Sequence, residues 1–218
     1  MKKIITSTIL LSVGLLSACS NKTDANEKNF SAAMSAYFNK NGDLCLGVRQ
    51  WPVDLRERDI QAKNLNLKQM SALESVGLVK AENAEVDIIG IMSNKPTGEK
   101  AKVKRYTLSE AANPFVKEIE VKSIGLNGSQ EIKQHDLCWG QKALDKIVKW
   151  EGPIKLGDYQ EAGITYTYKI NNMAEWANNP EVQSAFPSIQ NTVENASTKQ
   201  LTHGIKLTSE GWEARGLD

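Results

Sequence analysis

Two five-residue phrases restrict this chain more than any other feature. DLCLG at Asp43–Gly47 and DLCWG at Asp136–Gly140 differ by one letter, and each centres on a single cysteine. Such a pair can feed one metal or redox site, mark a duplicated domain, or staple two strands. The choice depends on compartment, because disulfides persist in oxidising spaces and thiols in reducing ones. The amino-terminus bears on that question. It reads MKK, then the apolar run IITSTILLSVGLLSA, then Cys19 before any acidic residue, the charged, apolar and small-residue order of a secretory signal over residues 1–18. The apolar run is short for a permanent bilayer span.

Leu16, Ser17, Ala18 and Cys19 resemble the lipobox of bacterial lipoproteins. The resemblance implies a diacylglyceryl thioether on Cys19, cleavage just before it and acylation of the new amine, so that the chain is anchored to a membrane without crossing it. Ser20 stands where an Asp would hold such a protein at the inner membrane, which implies the periplasmic face of the outer membrane. With Cys19 committed to lipid, Cys45 and Cys138 are left as an even pair in an oxidising space, and a disulfide between them is expected.

Charge excludes some partners. Cleavage after residue 18 removes Lys2 and Lys3 and no acid, so 27 basic and 26 acidic groups become 25 and 26. A nearly neutral chain lacks the basic field that nucleic acid or an anionic surface requires, and no nucleic-acid partner is expected. The implied partners are the membrane, through the lipid, and an envelope protein.

Residues 19–29 are polar and without apolar period, and predict a flexible tether. Phe30, Ala33, Met34, Tyr37 and Phe38 then give one apolar helical stripe, ending near Asn39–Gly42. LCLGV, Leu44–Val48, predicts a strand. Asn66 and Gln69 stand at N-cap and N3 spacing for a second helix, and Gly77 with Leu78 predicts a Schellman stop. LVKAE, VDIIGIM and AKVKRYTL predict strands, with Lys100, Lys102 and Lys104 on one solvated face. TLSE at Thr107–Glu110 has capping-box spacing for a short helix before Pro114. The order helix, Gly-Leu-Val, hairpin, Tyr-x-Leu-Ser-Glu resembles the second half of a winged helix; with only Lys68 and Glu74 on the helix LKQMSALESV, it suits protein contact or a structural role better than DNA.

The second half predicts sheet. SQEIKQHDLCWG and KALDKIVKWEG are expected as two strands, and GITYTYKI places Ile164, Tyr166, Tyr168 and Ile170 on one face. A helical segment follows from MAEWA, with Asn179 and Pro180 as N-cap and N1 of a new start, Val182, Phe186, Ile189 and Val193 as its stripe, and Pro187 as a kink or restart. THGIKLTSEGWEARG closes the chain as a strand and turn. The expected fold is α+β: an N-terminal helical lobe over 30–122 with the winged-helix-like hairpin, joined to a C-terminal lobe over 123–218 made of an antiparallel sheet and a packed helix. Duplication is the weaker reading of the paired phrases, because GITYTYKI and the Gly77 stop lack counterparts in the other half.

Chemistry is sparse. The two histidines, His135 and His203, have no neighbouring nucleophile motif, and G-x-S-x-G, H-E-x-x-H and S-x-x-K are absent. Neither cysteine has the close partner of a zinc or thioredoxin-like site. No catalytic residue, metal or cofactor is therefore expected. Five tryptophans against four phenylalanines suggest an aromatic binding surface, for which Trp139, Trp176 and Trp212 are the candidates. YTLSEAANPF, DLCWGQKALDKIVKW, GITYTYKI and EWANNPEVQSAFPSI together resemble a group of uncharacterised proteobacterial envelope proteins, which implies the envelope and no activity. The expected function is a non-enzymatic binding or accessory role at the outer membrane. An envelope hydrolase acting on peptidoglycan or lipid, or an assembly factor of an outer-membrane complex, are the alternatives.

Overall fold

In this computed structural model residues 21–90, 93, 95–125 and 128–217 are described. The expected signal segment 1–18, the expected lipid site Cys19, and the end of the strand expected through Met92 lie outside them. The first helix, α1, spans Glu27–Asn41. Asn26 caps it, its side chain accepting from Asn29 N at 2.9 Å, and Phe30, Ala33, Met34 and Phe38 are its buried stripe. The expected free tether is thus cut short. Asn29 Nδ2 donates to the carbonyls of Asn21 (2.8 Å) and Asp24 (2.9 Å), and Trp212 Nε1 donates to Thr23 O at 3.1 Å. What is held here is backbone oxygen, which leaves no mark in a side-chain pattern.

After α1 come β1 (Asp43–Cys45), β2 (Val53–Arg56), α2 (Glu57–Gln61), α3 (Leu65–Ser75), β3 (Val79–Ile89) and β4 (Pro96–Leu108). The predicted strand Leu44–Val48 is shorter, because Gly47 turns the chain with φ +81°. The N-cap of α3 is Asn64, not Asn66: its side chain accepts from Leu67 N at 3.0 Å. The helix ends as expected. Gly77 takes φ +76°, Leu78 N donates to Leu73 O and Gly77 N to Glu74 O, both at 3.0 Å, and Leu73 and Leu78 are buried together; these are the two bonds and the apolar contact of a Schellman motif. β2, β4 and β3 form a three-stranded antiparallel sheet in that order. The lysine row on β4 is not wholly solvated, since Lys104 Nζ lies 4.9 Å over the Tyr106 ring and 3.5 Å from Glu74 Oε2.

A 3-10 segment, Glu110–Phe115, follows with Ser109 at its N-cap and Pro114 inside; Thr107, expected as the cap, is still in β4. Then come β5 (Val116–Gly125), β6 (Gly128–Leu156), β7 (Tyr159–Asn171), a 3-10 turn (Glu175–Asn178), α4 (Pro180–Ala185), α5 (Pro187–Asn195), β8 (Leu201–Thr208) and β9 (Gly211–Ala214). Asn179 caps α4 as predicted, accepting from Glu181 N at 2.8 Å, and Pro187 restarts the helix as α5. The two strands expected over 129–152 are one. β6 pairs β5 through Leu137 and β7 from Gln141 onward, with register shifts absorbing the irregular stretches. Every pairing among the described residues is antiparallel, and the larger sheet runs β1-β6-β7-β8-β9 with β5 also on β6.

The fold is therefore mixed α/β on antiparallel sheets, but it does not divide at residue 122. That boundary would split the β5–β6 hairpin. One core joins Leu55, Met70, Leu73 and Tyr106 to Trp139, Phe186 and Ile189; the other joins Phe30, Met34 and Phe38 of α1 to Ile164, Tyr166 and Ile205. Each draws on both halves of the chain.

Candidate functional site

The paired phrases meet. β1 lies antiparallel to β6 with Cys45 opposite Cys138, and the two sulfurs are bonded. The shared letters serve different ends. Asp43 is exposed and paired with Lys117 Nζ, while Asp136 is 2 % exposed. Gly47 supplies a positive φ, whereas a Cβ on Gly140 would stand 3.0 Å from the Ile170 side chain. The phrases are two strands tied together.

Beside the disulfide, Asp136 organises the chain that leaves β1. Its Oδ1 and Oδ2 accept from Gly47 N at 3.1 and 3.0 Å, and Arg49 Nε stands 3.8 Å from Oδ2. Burial pushes this carboxyl above the ordinary aspartate range, and the Gly47 amide and then the Arg49 charge work against that rise. A hollow of about 610 Å³ opens here, lined by Lys40, Asp43, Cys45, Arg49, Glu118 and Asp136 among others. A second, of about 520 Å³, lies across the same loop and is lined by Gln50, Asp54, Asn66, Gln69 and Gln134. Both volumes fall in the range of small-ligand sites. Asp54 is held by Arg105, whose Nε and Nη2 each donate at 2.8 Å. A third hollow, of about 530 Å³, is lined by Leu55, Ile60, Val103, Lys102 and Lys104.

The tryptophan surface is not formed. Trp139, Trp176 and Trp212 are 2 %, 9 % and 6 % exposed, and they belong to the cores. Phe115 stacks edge-on to Trp176 at 5.7 Å, and Phe30 does the same to Trp212 at 5.1 Å. Large aromatic area is withdrawn from water whenever packing permits, and no local pattern tells a core tryptophan from a surface one. Trp150, 39 % exposed, is the tryptophan that faces solvent most.

His135 lies on β6 opposite Glu118, and His203 Nε2 is 2.9 Å from Arg215 O beside the Tyr37 ring. The structure does not bring them together with Cys45 or Cys138 as ligands, since those sulfurs are bonded to each other. Among the described residues no cluster of three or more His, Cys, Asp or Glu is placed to hold a metal ion. No family model, curated relative or solved structure matches the chain. The residue that sequence reasoning missed is Asp136. Its one signal was an acid directly before the apolar run LCW, where an unpartnered charge is costly and a held one is informative.

Proposed function

We propose that this chain is a lipoprotein, acylated at Cys19 and held on the periplasmic face of the outer membrane, where it binds a partner instead of catalysing a reaction. The observation that carries the reading is the Cys45–Cys138 bond, which suits an oxidising compartment and matches a chain whose remaining cysteine falls in a lipobox. The polar hollows flanking Leu46–Asp54 support binding. Around the larger one, Asp43 is paired with Lys117, Glu118 with Lys133 at 2.7 Å, and Asp136 with the Gly47 amide. These carboxylates are engaged as acceptors, an arrangement for recognition more than for proton donation.

The β3–β4 hairpin that follows α2 and α3, with the earlier β2 paired to its β4 edge, supports a winged-helix-like module used for contact with protein. Lys68, the cation of α3, already donates to Ser184 O and Oγ at 2.8 and 3.0 Å, and Gln69 reaches Ala185 O. That face of α3 is covered by α4, so it is not offered to a nucleic-acid groove. The test is the intact mass of the protein purified from membranes, together with flotation of the outer-membrane fraction. Acyl mass on Cys19 and co-flotation are expected. An unmodified thiol at Cys19 defeats the proposal.

A further inference from the structure

Large apolar side chains exposed to solvent gather on one hairpin. Val148, Trp150, Ile154, Leu156 and Tyr159 all belong to β6–β7, and Ile154 and Leu156 are 74 % and 79 % exposed. In the register of the tip, Leu156 stands opposite Tyr159 and Ile154 opposite Glu161. These four share one face, because Ala162 and Ile164, of the other parity on β7, turn into the core. The tip is also held in shape: Tyr159 Oη donates to Glu161 Oε2 at 2.8 Å, and Arg215 Nη2 donates to both, at 2.8 and 2.6 Å.

The first described residues lie at the same end of the sheet. β7 and β8 are antiparallel with Glu161 opposite Lys206, so the β6–β7 tip and the β8–β9 turn project together. Lys22 packs against Gly211 just after that turn, and Thr23 O accepts from Trp212. Phe30, in the first turn of α1, touches both Trp212 and Trp150, the latter at 5.5 Å. Cys19 precedes Asn21 by two residues, a reach of at most about 7 Å. An acyl group on Cys19 would therefore hold this end, and not the other, against a bilayer.

We propose that the β6–β7 tip is a second membrane contact, with Ile154, Leu156 and Tyr159 entering the headgroup–acyl boundary of the membrane that carries the Cys19 lipid. This rests on the lipoprotein reading above. The chemistry is that of interfacial anchors: two aliphatic side chains at the tip, and a tyrosine whose amphipathic ring suits the headgroup level. It needs no basic field, in keeping with the neutral chain, because a tethered tip meets the bilayer at high effective concentration. Two attachment points fix orientation. Lys40, at the far end of α1, lines the hollow beside Asp136, so that hollow is turned away from the membrane and toward the periplasm.

The experiment uses the full acylated protein in vesicles of phosphatidylethanolamine and phosphatidylglycerol. With Cys19 acylated and Cys45 bonded to Cys138, a single introduced thiol takes an environment-sensitive fluorophore in I154C, L156C or, as a control on exposed α5, N191C. The tip labels are expected to shift to the blue, and to be quenched by spin-labelled phospholipid several-fold more than the Asn191 label. If the protein floats with vesicles while the Leu156 label stays aqueous, the tip contact is overturned and the anchor stands. An intact mass without acyl chains overturns the anchor and the tip contact with it. Shielding of the tip labels that needs no vesicles and rises with protein concentration assigns this face to a second copy, and also overturns the proposal.

Discussion

Breaking the Cys45–Cys138 bond perturbs the unfolded chain far more than the folded one. In the folded protein β1 remains attached by backbone bonds that reduction leaves intact, including Leu46 N to Leu137 O at 2.9 Å and Lys142 N to Gly42 O at 2.7 Å. In the unfolded chain the bond closes a loop between residues 93 apart. Loop-closure entropy for that length is worth about 4–5 kcal/mol at 25 °C. For a domain of this size the loss corresponds to a fall in Tm of roughly 10–20 °C. The assay is urea denaturation of the oxidised protein and of the same protein reduced by a phosphine, with thiol counting to verify the reduction. Because the reduced unfolded chain is more expanded, the m-value should rise as the midpoint falls. A loss under about 1 kcal/mol with an unchanged m-value would refute the reasoning, since it would mean that the bond does not limit the unfolded ensemble.

Asp136→Ala should cost about 2–3 kcal/mol by denaturation at pH 7, because it strands the Gly47 amide and removes the charge facing Arg49. The wild type carries a pH signature too: with its folded pKa raised by burial, Asp136 binds its proton more tightly in the folded state, so its contribution to stability falls as pH rises from the unfolded value of about 3.9 through the raised folded one. Asp136→Asn should lack that slope, and an identical pH profile in both proteins would contradict it. Gly77→Ala should lose about 1–2 kcal/mol from left-handed backbone strain alone, since a Cβ there meets nothing within 4 Å; thermal melts of the Ala and Asn variants, with Asn the milder, check it. Trp139→Ala should cost about 3–5 kcal/mol as a core deletion, whereas Trp150→Ala should lose much less and quench chiefly the red-shifted part of the tryptophan emission.

What could be read in the chain was local. The Schellman stop at Gly77–Leu78, the Asn179–Pro180 start and the shared buried face of Ile164, Tyr166 and Tyr168 each depend on neighbours within a few residues, and each is present. Ile170 of that face is only half-buried, and Thr167 of the opposite face is buried as well, donating to Asp145. What failed was long-range. Gly140 and Gly152 looked like strand ends, but β6 runs through them with register shifts that a period-of-two pattern cannot register. α1 docks on strands that come more than a hundred residues later, so a division at residue 122 followed sequence proximity where packing follows none. Competing caps were another difficulty: Asn64 and Asn66 are chemically equal candidates, and only the backbone decides between them. The tryptophans named as a surface went to the cores, and Asp136 gained its importance from Gly47 and Arg49, 89 and 87 positions away in the chain.

The single long strand β6 has a mechanical consequence. Its first half supplies Leu137 and Trp139 to one core, and its second half supplies Ile147 to the other. Neither core can come apart without disturbing a strand that the other holds, so the two should melt as one cooperative unit. Tension applied through the amino-terminus would then be resisted by the whole molecule at once, and amides of Leu137 and Ile147 should exchange with solvent at a common, global rate.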